Sequence, residues 1–423
     1  MSTKGRTAIA AAGIVAVAAL ALAGCSTTDS AASGSQALTV ATDNPNQLKP
    51  VVSAFEKANP GVTVTVQDGG NSYQDFIRTG IAAGSAADVI RTFPGSGNNA
   101  AIGKLTAAGA LADLSGAAWK GDLSTAQKQL FSAKGKLYAV PIGELALGLV
   151  YDDQTLKEVG AAVPSTFTDV LALCDTAKKH GKVAYSLWQK GGTVLPSFAA
   201  VAPLVYGPNP GFTEDQLAGK ASFADSKWVD AFQLQLKMRD AGCFNDGPNG
   251  TDFNASAAQV GKGQAIATFA FSDTSSLEAV APAGSTFTLA PFPVGDDPQQ
   301  QYLAVADSAG FAVNAKAKNP ELARKFVDFL AQPQAQNLYA AAGKGAPAIP
   351  NDSFKADSKN QQTIIEYQKA KRTGTWPDQG WPGTGTGAAL TEASQTLIAG
   401  SDTPQSAAQK MDAAFAKDVA AQK

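Results

Sequence analysis

From Ala37 to Ala108 the chain switches repeatedly between two hydrophobic periods, and this rhythm restricts its fold more than any other feature. "ALTVAT" (37–42) reads as a buried strand, and "GVTVTVQ" (61–67) as a strand of alternating polarity. Between them "QLKPVVSAFEKANP" has helical spacing. Its start is expected near Pro50, because proline suits a first helical turn and not an interior. A helix over 73–83, a strand "ADVIRTF" (87–93) and a helix over 98–108 follow. Strands separated by helices form a mainly parallel sheet with helices on its faces, so the class is α/β. Ligands of such sheets sit beyond the carboxyl ends of the strands. Those ends carry Thr42, Asp43 and Asn44, then Phe93, Gly95 and Ser96.

A second lobe is expected to begin around residue 145. "KLYAVP" (136–141) and "LALGLVYD" (145–152) read as two strands joined by "IGE". Thr166, with Asp169 three residues on, opens a helix as a capping-box variant, and Gly181 closes it. The strand "KVAYSLW" (182–188) ends on Trp188, and "GKGQAIATFAFSD" (261–273) ends on Phe271, Ser272 and Asp273. Helices are expected around 195–206 and 226–241, and a further strand at 287–293. A long extended stretch containing Asp307 then leads to a well-signed helix. Asn319 is its cap, Pro320 its first residue, and Leu322, Phe326, Phe329 and Leu330 share one face. Helices over 388–399 and 403–421 finish the chain, with "GTGTG" (383–387) as the loop leading into the first.

The N-terminus bears on the compartment. Lys4 and Arg6 precede an apolar run from Ala8 to Ala23, and Gly24-Cys25 follow, which is the layout of a secretory signal. Leu22-Ala23-Gly24-Cys25 resembles the lipobox of bacterial lipoproteins, where the cysteine takes a diacylglycerol thioether. The competing reading is an ordinary cleaved signal with a chance cysteine. On the first reading residues 1–24 are removed, 25–36 form a flexible tether, and Cys25 holds the protein to the membrane. Cleavage there removes two cations and no anion, taking the formal net charge from −2 to −4. An acidic balance does not fit nucleic-acid binding, which needs a basic patch.

Enzyme signatures are sparse. One histidine, His180, stands at a helix end, where a capping role explains it, and with two further cysteines there is no zinc-like cluster. Neither a nucleophile elbow nor a Walker loop nor a dinucleotide fingerprint occurs, so no cofactor or metal is expected. Cys174 and Cys243 are either a disulfide, which an oxidising compartment permits, or two small buried apolar residues.

A binding role explains more residues. Sugars present apolar C–H faces and hydroxyl edges, so sites for them combine flat aromatic rings with Asp, Asn and Glu acceptors. Here Phe93, Trp188, Phe271, Trp376 and Trp381 fall at strand ends or loops, with Asp43, Asn44, Glu144, Asp273 and Asp307 close by in the sequence. Phe93 and Phe271 serve equally well as the ends of core strands. Trp228, at helical spacing with Phe232, belongs in a core. Trp376 and Trp381 stand in "TGTWPDQGWPGTGTG", a stretch too rich in Gly and Pro for helix or strand. They either wall a sugar ring or pin the loop onto its lobe.

Several segments, in order, resemble the extracellular solute-binding proteins of bacterial ABC sugar importers, the group that includes maltose-binding proteins. They are "AFEKANPGVTVTV", "IAAGSAADVI", "GKLYAVPIGELALGLVYDDQTLKEVG", "FNASAAQVGKGQAIATF", "AVADSAGFAVNAKAKNPELARKFVDFL" and "TLIAGSDTPQSAAQKMDAAFAK". The resemblance implies a periplasmic-binding-protein-like fold of two α/β lobes, 37–142 with 307–346 and 143–306 with 347–423. Crossings would fall near Pro141–Leu145, Asp307–Val313 and Pro347–Pro350, with a sugar held in the cleft and no catalysis. It also implies a membrane permease as partner, and the protein is expected to act as a monomer. Asp43 and Asn44 match the family's ligand loop, and Glu144 lies one residue out of register with a family acidic contact. Phe271, Ser272 and Asp273 stand where maltose binders carry a Gly-Pro-Trp turn, and that tryptophan is absent. A polyamine, which also suits aromatics and carboxylates, is the rival ligand on the same scaffold. A surface-anchored glycan hydrolase is the third reading.

Overall fold

The computed structural model describes residues 36–422, apart from the side chain of Asn71. The signal segment, Cys25 and all but the last residue of the expected tether lie outside the described residues. In chain order the strands are β1 (Gln36–Thr42), β2 (Val62–Asp68), β3 (Val89–Thr92), β4 (Ser132–Ala133), β5 (Lys136–Leu137), β6 (Ala139–Asp152), β7 (Val183–Ser186), β8 (Ala265–Phe271), β9 (Phe287–Ala290), β10 (Leu303–Val313) and β11 (Thr373–Gly374). All but the small β4–β5 hairpin join one sheet in the order β2-β1-β3-β10-β6-β8-β7. In addition, β11 pairs with β10 and β9 with β6. The β1–β2, β1–β3 and β7–β8 pairs are parallel, as strand–helix alternation requires, while the pairs made by β6 with its neighbours are antiparallel.

Three cores form around this sheet, one on a first side and two on a second, and β6 and β10 contribute to all three. Ala139, Val140 and Ile142 of β6 and Ala309, Phe311 and Val313 of β10 pack with the helix Pro45–Ala58 and the helix Pro320–Leu330. Further along β6, side chains alternate between faces as a strand demands. Leu147, Leu149 and Tyr151 enter a core with Trp228, Phe232 and Phe269, while Ala146 and Val150 enter another with Leu277 and Leu289. The handover falls at Gly143–Leu145. Beside it, the β10 register shifts between Asp307 and Ala309 and again before Gly310. A third segment makes the same passage, with Ala346 packed on the second side and Ile349 on the first.

Three local expectations are corrected. The first helix begins at Pro45, not near Pro50, which lies inside it. Asn44 caps the helix and Pro45 takes its first position, so the start signal was one turn earlier. Burial of Leu48, Val51 and Phe55 along one face offsets the carbonyl bond lost at Pro50. The two strands expected on either side of "IGE" are one continuous strand, because β10 runs beside the whole segment. The helix expected at 388 starts at Gly385, since the Asp418 carboxylate accepts hydrogen bonds from the Gly385 and Thr386 amides. A cap from so distant a residue leaves no local trace. Cys174 and Cys243 form a disulfide, joining the helix Phe167–Lys179 to the segment after the helix Trp228–Asp240.

Candidate ligand-binding site

A cavity of about 240 Å³ opens between the core of Phe311 and the larger core of Trp228. Phe93, Pro94, Gly97 and Asn98 wall it from the side of β3. Leu147, Phe198, Phe271 and the loop residues Trp376, Asp378 and Gln379 wall it from the other. Ser308, on the strand that passes between the sides, also lines it. Phe271 ends β8 and its ring centroid lies 5.3 Å from that of Trp376, tilted by 46°. Both rings pack against the larger core and remain partly accessible. Phe93 follows β3, and the guanidinium of Arg91 sits 4.6 Å from its ring centroid. These three sequence-expected aromatics therefore converge on one space.

The two walls also touch. At Gly95 and Gly97 an added Cβ would overlap the backbone carbonyls of Gln379 and Asp378 respectively. The glycines of "PGSG" thus let one loop lie directly on the backbone of the opposite one, so the cleft is closed over its cavity.

The other expected residues are placed elsewhere. Trp381 is 1% exposed and packs among Phe198, Phe223 and Trp228 in the larger core. Of the two readings of that tryptophan, the structure supports the pin and not the wall. Trp188 packs edge-on against Phe253, and its Nε1 donates to the Phe269 carbonyl at 3.2 Å. Asn44 is occupied as a helix cap, accepting from the Gln47 amide and donating to Gln47 Oε1 at 3.1 Å. Asp273 turns back on its own chain, accepting from the Ser275 amide and hydroxyl. Asp43 pairs with buried Arg91, whose Nη1 lies 2.9 Å from its carboxylate.

Glu144 and Asp307 stand opposite each other on β6 and β10. Ser308 and Leu147 face the aromatic cavity, whereas Glu144 lines a separate groove with Ala346, Pro347, Pro350 and Gln368. The two carboxylates thus belong to the reverse face of the crossing, not to the cleft. Burial, and for Glu144 the neighbouring Asp307 charge, raises both carboxyls, Asp307 to about 7. Amides compensate in part: Gln368 donates to Glu144, and Gln127 Nε2 donates to Asp307 Oδ1 at 3.0 Å and to the Ala348 carbonyl at 2.8 Å.

Sequence reasoning missed Asn98, Ser308, Asp378 and Gln379. Asp378 and Gln379 stand between Trp376 and Trp381, so their signal lay in the loop sequence "WPDQGW" itself. Among the described residues, no group of three or more His, Cys, Asp or Glu side chains converges as a metal site would require.

A cavity between two α/β cores, crossed by shared strands, is the architecture of the two-lobed binding proteins. Residues 41–337 match the family model of the bacterial extracellular solute-binding proteins, and the chain belongs to that family. Among particular relatives, it is 21% identical over 383 residues to a multiple sugar-binding protein of Streptococcus mutans, covering 87% of this chain and 89% of that one. It is 26% identical over 214 residues to the melibiose/raffinose/stachyose-binding protein MelE of Bacillus subtilis. That match covers 49% of this chain and spans only about half, 48%, of MelE. Among solved structures, the GacH receptor of Streptomyces glaucescens superposes with a TM-score of 0.74 at 18% identity. It covers 91% of this chain and 99% of that one, a likeness of fold alone.

Proposed function

We propose that this protein captures a sugar or oligosaccharide in the cleft between two lobes and delivers it to the permease of an ABC importer. The observation that carries the proposal is the convergence of Phe93, Phe271 and Trp376 on one cavity whose walls come from different cores. Aromatic faces suit the C–H faces of a pyranose, and Asn98, Asp378 and Gln379 supply polar atoms for its hydroxyls. Relatives named as sugar-binding proteins support the same ligand class.

The lobes would be 37–142 with 307–346, and 143–306 with 347–423. The division of the cores at Gly143–Leu145 and at the β10 register shifts supports those boundaries. Closure would be a hinge motion at the crossings, driven by a ligand that touches both walls at once. Cys25 would carry the lipid that tethers a monomer outside the membrane. Among the described residues no helix is long and apolar enough to cross one.

A thermal-shift screen tests the ligand class, with melibiose, raffinose, stachyose, maltotriose and chitobiose set against spermidine. A sugar present at 100 times its dissociation constant should stabilise the fold by about 2.7 kcal/mol. Stabilisation by spermidine and by none of the sugars would overturn the proposal.

A further inference from the structure

Three buried polar atoms on one short turn have no hydrogen-bond partner within the protein: Trp376 Nε1, Asp378 Oδ1 and Gln379 Oε1. All three residues line the cleft cavity. The orientation of the Gln379 amide is fixed, because Nε2 donates to the Asp307 carbonyl at 2.8 Å and so leaves Oε1 as the free end. No lysine or arginine lines the cavity, and the nearest buried cation, Arg91, is engaged by Asp43. Burial pushes the Asp378 carboxyl up to about 6, against the opposing pull of the Asp378 and Gln379 amides. Keeping a carboxylate there with one buried oxygen unpartnered is costly to the folded protein. Such a group makes physical sense where its partner arrives from outside.

We infer that Asp378 is the specificity-determining acceptor of the cleft. With Gln379 it takes hydroxyl donors from the edge of a neutral sugar whose ring face lies on Trp376, and it rejects acidic sugars. The inference rests on the sugar-binding function proposed above. A hydroxyl donating to a carboxylate makes a short bond about twice as strong as a neutral one. Beside it the indole Nε1 is a donor for a ring or hydroxyl oxygen, so one turn supplies a stacking face, two acceptors and a donor. A uronate would bring a second negative charge into a cavity without a cation, a repulsion that discriminates against it.

The test is Asp378→Asn, measured on the whole protein without ligand and then with melibiose, raffinose, stachyose and the acidic trisaccharide trigalacturonate. Without ligand, the variant should melt at an equal or higher temperature than wild type, because an unpaired buried charge is gone. Its affinity for the neutral sugars should fall roughly 10- to 100-fold. A residue kept for structure would behave oppositely, so a lower melting temperature overturns the inference, as does unchanged affinity. Wild-type protein that binds trigalacturonate as tightly as the neutral sugars overturns it too. If wild type binds none of the sugars, the sugar reading itself fails, while the ligand-free melting comparison still tests whether Asp378 is an unpaired charge.

Discussion

Glu144 and Asp307 face each other across the antiparallel pair of β6 and β10, at the point where both strands pass from one core to the other. Burial raises both carboxyls above their ordinary range, and the Asp307 charge adds to the rise at Glu144. Each therefore has a folded-state pKa above its unfolded value, and the sign of the effect on stability follows. The stabilisation is fully present below the ordinary carboxylate range and is lost as pH rises toward Asp307's value of about 7. Asp307→Asn removes the part of that dependence that Asp307 contributes. Melting curves from about pH 4 to about pH 8 should show wild type losing stability relative to the variant as pH rises. Parallel curves would contradict the raised Asp307 carboxyl.

Trp376 and Trp381, five residues apart, should behave differently. Trp381→Ala empties a site in the larger core and should cost about 3–5 kcal/mol of stability. Trp376→Ala should cost less stability and weaken sugar binding tenfold or more. Chemical denaturation paired with titration calorimetry separates the two.

Gly97 touches the opposite wall without needing a positive φ, so Gly97→Ala can fold normally and yet has no room for its Cβ when the cleft is closed. The expected result is an unchanged melting temperature without ligand, weaker sugar binding, and a larger radius of gyration by small-angle scattering in the presence of sugar. Gly95 is a poorer choice, because its φ of +69° would strain any replacement regardless of closure.

The disulfide between Cys174 and Cys243 closes a sequence separation of 69 residues away from the cleft. Replacing both cysteines by serine should lower stability by about 2–4 kcal/mol and leave ligand affinity unchanged. A matched denaturation and binding series checks both halves of that expectation.

What the sequence made legible was periodicity and local chemistry. The helix Pro320–Leu330 has the cap, first-turn proline and apolar face read from "NPELARKFVDFL", and Thr166 and Asp169 form the expected reciprocal cap. The aromatic strand ends Phe93 and Phe271 could be found because strand ends in α/β sheets are where ligands sit. Side-chain direction was not legible. Asp307 and Ser308 are neighbours in sequence, yet one faces Glu144 and the other the cavity, and the register shifts beside them cannot be read from composition. Partners brought from afar were equally hidden. Arg91 claims Asp43, Gln47 engages Asn44, and the core of Trp228 and Phe223 claims Trp381. Each of these residues had the right chemistry for a sugar and an earlier commitment to the fold.

The most direct measurement is calorimetric titration of the purified protein and its Trp376→Ala variant with melibiose, raffinose and stachyose. The expected result is saturable binding of at least one of them to wild type, with affinity at least tenfold lower in the variant. Binding of none, or equal binding by both proteins, would contradict it.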